Sequence, residues 1–410
     1  MKRILPMSDV IAIRPQQRVT LPADVAEAHS TCTGLGDALV IVATALMMIG
    51  VVMVASTSIS LDHSWFGAGF WGSPFCRHLA FALAGFALML LTSRFAPQVL
   101  ASPVWRGRAA AILFILAIAG LAAALIPGLA DPQHGSHRWI RLGPKAMAIR
   151  YQPSELTKVA MVWIIASLFT RLGADPRSFR RSFLPAAVAI GGCVLLVGSQ
   201  DFGTAALLGV VGLAMLLVAG CRPRHILTLS AIGVGAMSVL LLAFPYRLAR
   251  ITAFGDYWSD PQGHGYQAIQ SLTSIASGGW FGQGLGAGVQ KFGYLPAGQS
   301  DFIFSVICEE MGVLGGFLVI GLFGAFIWLG LRISWAAASR FERLLAFGLI
   351  AIIGLQATMN IAVATVVAPT KGISLPLLSA GGSGLLTVCL AIGLLAAMAR
   401  NGERRIANAE

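Results

Sequence analysis

Charge is what this 410-residue chain has least of: Asp, Glu, Lys and Arg make up 11% of it, against roughly 25% in an ordinary soluble protein. That scarcity excludes a water-bathed surface over most of its length. Hydrophobic residues reach 57% and mean hydropathy is +0.79, so composition alone imposes a polytopic membrane protein. Cysteine is sparse as well. The six, Cys32, Cys76, Cys193, Cys221, Cys308 and Cys389, form no C-x-x-C pair and fall mostly in or beside apolar runs, which excludes a disulfide or zinc framework. The seven histidines contain no H-E-x-x-H, and His134 and His137, three apart, find nothing to complete a metal set. No G-K-[ST] follows the glycines, which excludes a nucleotide P-loop. The first 36 residues lack a cationic start followed at once by an apolar core, so they read as a tail and not as a cleaved signal.

What is there is a series of apolar runs of the roughly 20 residues needed to cross about 30 Å of hydrocarbon. They fall near 37–58, 78–96, 109–130, 153–172, 183–200, 202–220, 225–245, 302–331, 344–368 and 382–399. The expected fold is an all-α polytopic membrane protein of about ten transmembrane helices. A large extracytoplasmic loop, 246–301, lies between spans seven and eight, and cytoplasmic tails, 1–36 and 400–410, flank one transmembrane domain, 37–399. Spans four to six are the ambiguous ones, because Glu155, Lys158 and Asp201 lie within or beside them.

Arginine and lysine fix the orientation. They concentrate in alternate connections (Arg94, Arg106 and Arg108; Arg171, Arg177, Arg180 and Arg181; Arg222 and Arg224; Arg332, Arg340 and Arg343; Arg400, Arg404 and Arg405), which the positive-inside rule makes cytoplasmic. The net charge of +12 is then mostly topology and attraction to anionic membrane lipid, and no basic run with interleaved aromatics points to nucleic acid. Arg138, Arg141, Lys145, Arg150, Arg247, Arg250, Lys291 and Lys371 break the rule by facing outward. Either they meet lipid headgroups and pair with Asp131, Asp256 and Asp260, or they hold an anionic substrate such as a lipid pyrophosphate at the outer leaflet. The polar, glycine-rich stretch from Asp256 to Gly312 cannot sit in lipid with its backbone unpaired, and is expected to be the working part. Its glycines, Gly278 to Gly288, permit tight folding against a sugar or lipid chain. Glu155 and Lys158, three apart on one helix face, would neutralise each other, a structural or conformational role. Gly381 and Gly382 would let the last helix pack closely.

The segments Gly135–Gly143 (GSHRWIRLG), Tyr151–Lys158 (YQPSELTK), Gly265–Pro296, Ser300–Gly312 (SDFIFSVICEEMG) and Pro369–Gly384 (PTKGISLPLLSAGGSG) resemble the SEDS family of bacterial shape, elongation, division and sporulation proteins. The run Asp260–Leu272, the GGW at Gly278–Trp280 and the PTKG at Pro369–Gly372 look more like its FtsW division branch than its RodA elongation branch. The resemblance implies a ten-helix peptidoglycan glycosyltransferase in the bacterial cytoplasmic membrane that polymerises lipid II. The donor is a glycan on undecaprenyl pyrophosphate, and the partners are a class B penicillin-binding transpeptidase and other divisome or elongasome proteins. A divalent cation, Mg or Mn, is the one cofactor the resemblance brings to mind. The chain has no transpeptidase set of its own. Asp301 matches the family's essential aspartate; it would serve as general base or orient the acceptor, although an aspartate there also suits a helix N-cap.

Arg138 and Trp139 in the RWI motif, Gln290, Lys291 and Lys371 are the expected substrate contacts; interfacial anchoring is the alternative for Trp139 and the lysines. Asp201 is retained where the family commonly has Q-P-D-x-G-T, here Ser199 to Thr204. Glu309 and Glu310, eight and nine positions past Asp301, are expected two turns along its helix as partners for a buried cation. Ala297 and Gln299 replace an acid and a histidine common in the family, and Ala380 a tyrosine. A lipid-linked precursor flippase, with essential charges Glu155, Lys158 and Asp201 along a path, and a scaffold that only holds partners are the other readings.

Overall fold

Proline and small polar caps set where the helices begin, as first-turn amides with no helical partner favour. A computed structural model describes residues 34–59, 73–126, 129, 138–142, 149–243, 250, 252, 254–263 and 265–407. The N-terminal tail to residue 33, Asp131, His134, His137, Lys145 and Arg247 lie outside the described residues. After α1 (Leu35–Ile59), prolines open α2 (Pro74–Ala101), α3 (Pro103–Ala123) and α4 (Pro153–Leu168). A π-helical turn, Phe179–Phe183, leads into α5 (Leu184–Gly198), and Asp201 caps α6 (Phe202–Val218) by accepting from the Thr204 N–H at 3.0 Å. Then come α7 (Pro223–Leu242), α8 (Tyr266–Gly278), α9 (Ile303–Ala336), α10 (Arg340–Ala364) and α11 (Ser383–Ala407).

Eight described helical segments are long and apolar enough to cross a membrane, which makes this a multi-pass membrane protein. α4 and α6 are shorter and lie where the fourth and sixth spans were expected. α2 continues through Pro97 to Ala101, past the expected end at residue 96; a proline removes only its own N–H bond, and surrounding helices compensate within a bundle.

α4 is the helix most enclosed by its neighbours, packed on α3, α5 and α10, and nearly every residue of it is buried. That enclosure is why Glu155 and Lys158 can lie in it. α7 has no buried residue and forms the periphery beside α6. α11 packs most extensively on α2, and Gly382 just before it lets the Phe81 ring of α2 come close. A side chain at Gly381, by contrast, would meet only the Ser379 carbonyl oxygen, at 3.9 Å.

One departure from an all-helical chain is a short hairpin, β1 (Ile140–Leu142) and β2 (Ile149–Tyr151), pairing Ile140 with Tyr151. It ties Arg138 and Trp139, just before β1, to the start of α4, just after β2.

The glycine-rich segment docks on α9. Ser271, Ser274 and Gly278 line one face of α8, where Ser271 Oγ and Ser305 Oγ are 2.6 Å apart, Ser274 donates to the Ser305 carbonyl at 3.1 Å, and a Cβ on Gly278 would strike the Cys308 carbonyl. α9 is broken at Gly312, whose φ of +73° favours glycine. The break frees backbone groups that the loop satisfies: Gln283 and Gly284 donate to the Glu309 and Glu310 carbonyls at 2.9 and 3.0 Å, and Val313 and Leu314 donate to Gly279 and Trp280 at 2.9 and 3.3 Å. Irregular backbone beside a membrane helix is tolerated where protein satisfies it in this way.

Candidate functional site

Asp301 stands in the turn before α9 and does not cap it. The capping position is Phe302, with no side-chain bond, because the Ser300, Asp301 and Phe302 amides all fold back onto the Ala297 carbonyl, at 3.0, 3.0 and 3.3 Å. This corrects the N-cap alternative, and it also removes Asp301 from the helix that carries Glu309 and Glu310. The turn requires Ala297 to take a φ of +57°, a left-handed conformation that costs a non-glycine residue roughly 1–2 kcal/mol. Val366 and Leu377 are the other non-glycine residues with positive φ among the described residues, at +56° and +67°. All three fall in the two segments that carry Asp301 and Lys371, and strain of this kind gathers at functional sites.

Three charged residues from separate parts of the chain, Arg138, Asp201 and Arg250, act on Asp301, and Lys371 acts with Asp201. Arg138 Nη1 lies 3.3 Å from Asp201 Oδ2. A Cβ built on Gly372 would be 3.3 Å from Arg138 Nη2 and 3.4 Å from Asp301 Oδ2, so both groups converge on that glycine. Lys371 Nζ sits 5.7 Å from the Phe202 ring centroid. Burial pushes the Asp301 carboxyl up to about 6; Arg138 and Arg250 pull it down, and Asp201 pushes it up. Burial also lowers Lys371, which Asp201 partly offsets.

Backbone ties hold the pieces in register. Asn360 of α10 donates to both the Asp301 and Ile373 carbonyls, each at 2.7 Å. One turn away, Gln356 donates to the Ser374 carbonyl at 2.9 Å and accepts from Lys158 Nζ at 2.7 Å. Lys158 is 2.8 Å from Glu155, so the pair is the far end of a polar chain that fixes the Lys371 loop. Ser379 Oγ donates to the Ser300 carbonyl at 2.5 Å and accepts from the Leu375 amide at 2.7 Å.

The other expected site residues lie apart from this cluster. Lys291 is buried 2.9 Å from Glu310 and 3.1 Å from Ser56 Oγ, so its charge is answered within the fold and it is not a free phosphate cation. Glu310 is thus the partner of a buried cation, although not on the Asp301 helix turn; it also accepts from the Gly286 amide at 3.1 Å. Glu309 accepts from Ser274 and from the Val289 and Gln290 amides at 3.0, 2.7 and 3.1 Å. Gln290 therefore contributes its backbone to the Glu309 carboxylate. Trp139, Lys291, Gly381 and Gly382 line a cavity of about 510 Å³ that opens beside the cluster. Gln356 and Asn360 were not singled out by sequence reasoning, which named Asp201 as a retained family position and Arg250 only as one of the outward-facing basic residues. The signal for the amides was available: two amides four apart in an otherwise apolar span are costly unless they bond something.

The chain matches the FtsW/RodA/SpoVE cell cycle protein family over residues 37–404. It belongs to that family. Among relatives, the "Stage V sporulation protein E" of Bacillus subtilis (strain 168) is 37% identical over 365 residues, 88% of this chain and 96% of the relative. The "Probable peptidoglycan glycosyltransferase FtsW" of Nitrosococcus halophilus is 39% identical over 362 residues, 86% of this chain and 89% of the relative. In structure, the FtsW/RodA/SpoVE chain resembles a chain from work on "Structural coordination of polymerization and crosslinking by a peptidoglycan synthase complex", with a TM-score of 0.67, 26% identity, and 89% and 97% of the two chains covered. The crystal structure of Thermus thermophilus RodA matches with a TM-score of 0.58 at 23% identity, over 88% of this chain and 95% of that one, and speaks for the fold alone. The SEDS resemblance read from the motifs agrees with all of these.

Proposed function

We propose that this protein is a peptidoglycan glycosyltransferase that polymerises lipid II into glycan strands at the outer face of the bacterial cytoplasmic membrane, in septal synthesis during cell division. The observation that carries the reading is the setting of Asp301, a carboxyl raised to about 6 beside Arg138 over the bare Gly372 backbone. Near pH 7 such a group is mostly ionised yet more basic than an ordinary carboxylate, which suits a general base. In the proposed step the 4-hydroxyl oxygen of an incoming lipid II attacks the anomeric carbon of the glycan on undecaprenyl pyrophosphate. Its proton passes to Asp301, and the bond to the pyrophosphate oxygen breaks with the electron pair leaving on the pyrophosphate. Arg138 and Lys371, with Arg250 beside them, offset the charge that develops there. For a divalent cation, Asp201 and Asp301 are the carboxylates on offer; such ions take one or two carboxylates plus substrate phosphates.

In this reading the chain has ten spans, 37–399 forming one transmembrane domain with the 246–301 connection outside and both tails cytoplasmic. A class B penicillin-binding transpeptidase makes the crosslinks, in keeping with the complex named for the structural relative. A flippase would need Glu155, Lys158 and Asp201 strung along a path. Glu155 and Lys158 instead neutralise each other at 2.8 Å, and Asp201 joins Arg138, which favours the polymerase.

The test is to supply the purified protein, with and without its transpeptidase, with lipid II and a divalent cation and to look for glycan polymer. Polymer from the native chain and none from Asp301→Ala or Asp301→Asn is expected. Undiminished polymer from both variants would remove the base assignment, and transport of labelled lipid II without polymer would replace the enzyme reading.

A further inference from the structure

Where α9 ends and α10 begins, the chain turns beside the end of α6. A second cavity of about 230 Å³ opens there, lined by Val218, Ala338, Ser339, Arg340, Arg343 and Leu344. That is several times the ~30 Å³ a water molecule occupies. It lies at the opposite end of α10 from Asn360 and shares no lining residue with the cavity beside the Asp301 cluster.

Arg340 and Arg343 are three apart, so they stand on one face of α10, and both line the cavity. No acidic residue lines it with them, and neither arginine has an acidic partner among the described residues. Glu342, between them in the chain, is 1% exposed and faces Arg106 at 3.9 Å. Arg340 is held in place all the same: its Nη2 donates to the Ala219 carbonyl at 2.9 Å, at the end of α6 where carbonyls lack helical partners. A cation fixed in this way loses little further freedom when it binds. Two neighbouring like charges repel, and an anion between them would offset that cost.

The apolar surroundings set the depth of the site independently. Val218 in the wall and Leu217 beside it are 46% and 63% exposed, and Trp335 in the last turn of α9 is 70% exposed. Exposed tryptophan at the end of a membrane span belongs at the headgroup level, with apolar side chains facing hydrocarbon next to it. The arginines therefore stand where lipid phosphates lie, and a guanidinium offers phosphate a planar fork of donors.

We infer that this cavity binds a phosphate group carried by an anionic membrane lipid: Arg340 and Arg343 take the phosphate oxygens, and Leu217, Val218 and Trp335 take the first part of the acyl chains. The site goes beyond the polymerase reading, from which it takes only the leaflet, the cytoplasmic one. The same fork would take a soluble phosphate, and the experiment separates the two sources.

Radiolabelled phosphatidylglycerol is equilibrated with the full chain in dodecyl maltoside micelles, and bound lipid is counted. Arg343→Ala breaks no side-chain contact among the described residues and should weaken binding about fivefold, the worth of one basic side chain at an anionic lipid surface. Arg343→Lys should lose less, and Arg340→Ala at least as much as Arg343→Ala. Arg177→Ala removes an exposed arginine from another connection and should bind within about twofold of the native chain. Displacement of the label by phosphatidylglycerol but not by inorganic phosphate would identify a lipid site, and equal displacement by inorganic phosphate a soluble ligand; both support phosphate recognition in this cavity. Displacement by phosphatidylcholine as effective as by phosphatidylglycerol would overturn the inference. Equal losses in Arg177→Ala and Arg343→Ala would overturn it too, since they would mean a diffuse basic surface. So would an Arg343→Ala chain of native melting temperature that binds as the native chain does. If Arg340→Ala fails to fold, the two Arg343 variants still decide the matter. No polymer is measured, so these outcomes hold whether or not the polymerase reading does.

Discussion

Replacing Asp301 with asparagine keeps the shape of the side chain and removes its charge, and the structure gives the consequence a sign in both activity and stability. The carboxyl is raised from 3.8 to about 6, first by burial. A raised acid contributes stability that is whole below its unfolded value and is lost as pH rises through its folded value. The native chain should therefore weaken between pH 4 and 7 relative to the variant. Two units correspond to a ceiling of roughly 3 kcal/mol at 1.36 kcal/mol per unit. Asp301 keeps part of its surface open, so solvent screening brings this to about 1–2 kcal/mol. Thermal unfolding in nanodiscs at steps from pH 4 to 8 should show Asp301→Asn melting higher than the native chain near pH 7.5 and level with it near pH 4. Polymerisation should fall by about 10²–10⁴, the usual worth of a positioned base. A variant that melts no higher at pH 7.5, or differs from the native chain by the same amount at every pH, would refute the claim that an ionised, desolvated carboxylate is held at this position.

Three more outcomes follow from the packing. Glu155→Gln leaves Lys158 buried with its charge unanswered and should cost about 3–5 kcal/mol, whereas Glu155→Gln combined with Lys158→Met should recover most of it; equal melting temperatures for the native chain and the single variant would show that the pair is idle. Ala297→Gly should relieve the left-handed strain in the Asp301 turn and raise stability by up to ~1 kcal/mol, less the entropy of a more flexible unfolded chain; a loss greater than that in a melting series would mean the turn needs its methyl group. Asn360→Leu removes both ties to the Asp301 and Ile373 carbonyls and should lower kcat for polymerisation far more than it raises KM, since what is lost is geometry; a change confined to KM would argue for direct substrate contact instead.

The sequence by itself determined that the chain is a multi-pass helical membrane protein, because about 20 apolar residues have few other uses, and each of the ten apolar runs overlaps a helix, with ends that differ by up to eight residues. It also pointed to Asp301, Arg138 and Lys371 through motif resemblance, and to the Glu155–Lys158 pair through three-residue spacing on one helix, an interaction local enough to be read from order alone. Contacts distant in the chain were settled only by the tertiary structure. Arg138 meets Asp201 across 63 positions, Lys158 meets Gln356 across 198, and Ser56 meets Glu310 across 254. Which of two outward lysines stays near the acidic cluster and which is spent on a buried glutamate depends on how α9 breaks at Gly312 and how the glycine loop repairs the break. No periodicity records such an arrangement, because hydrophobic pattern fixes which face of a helix is buried but not which polar group on another helix it will meet.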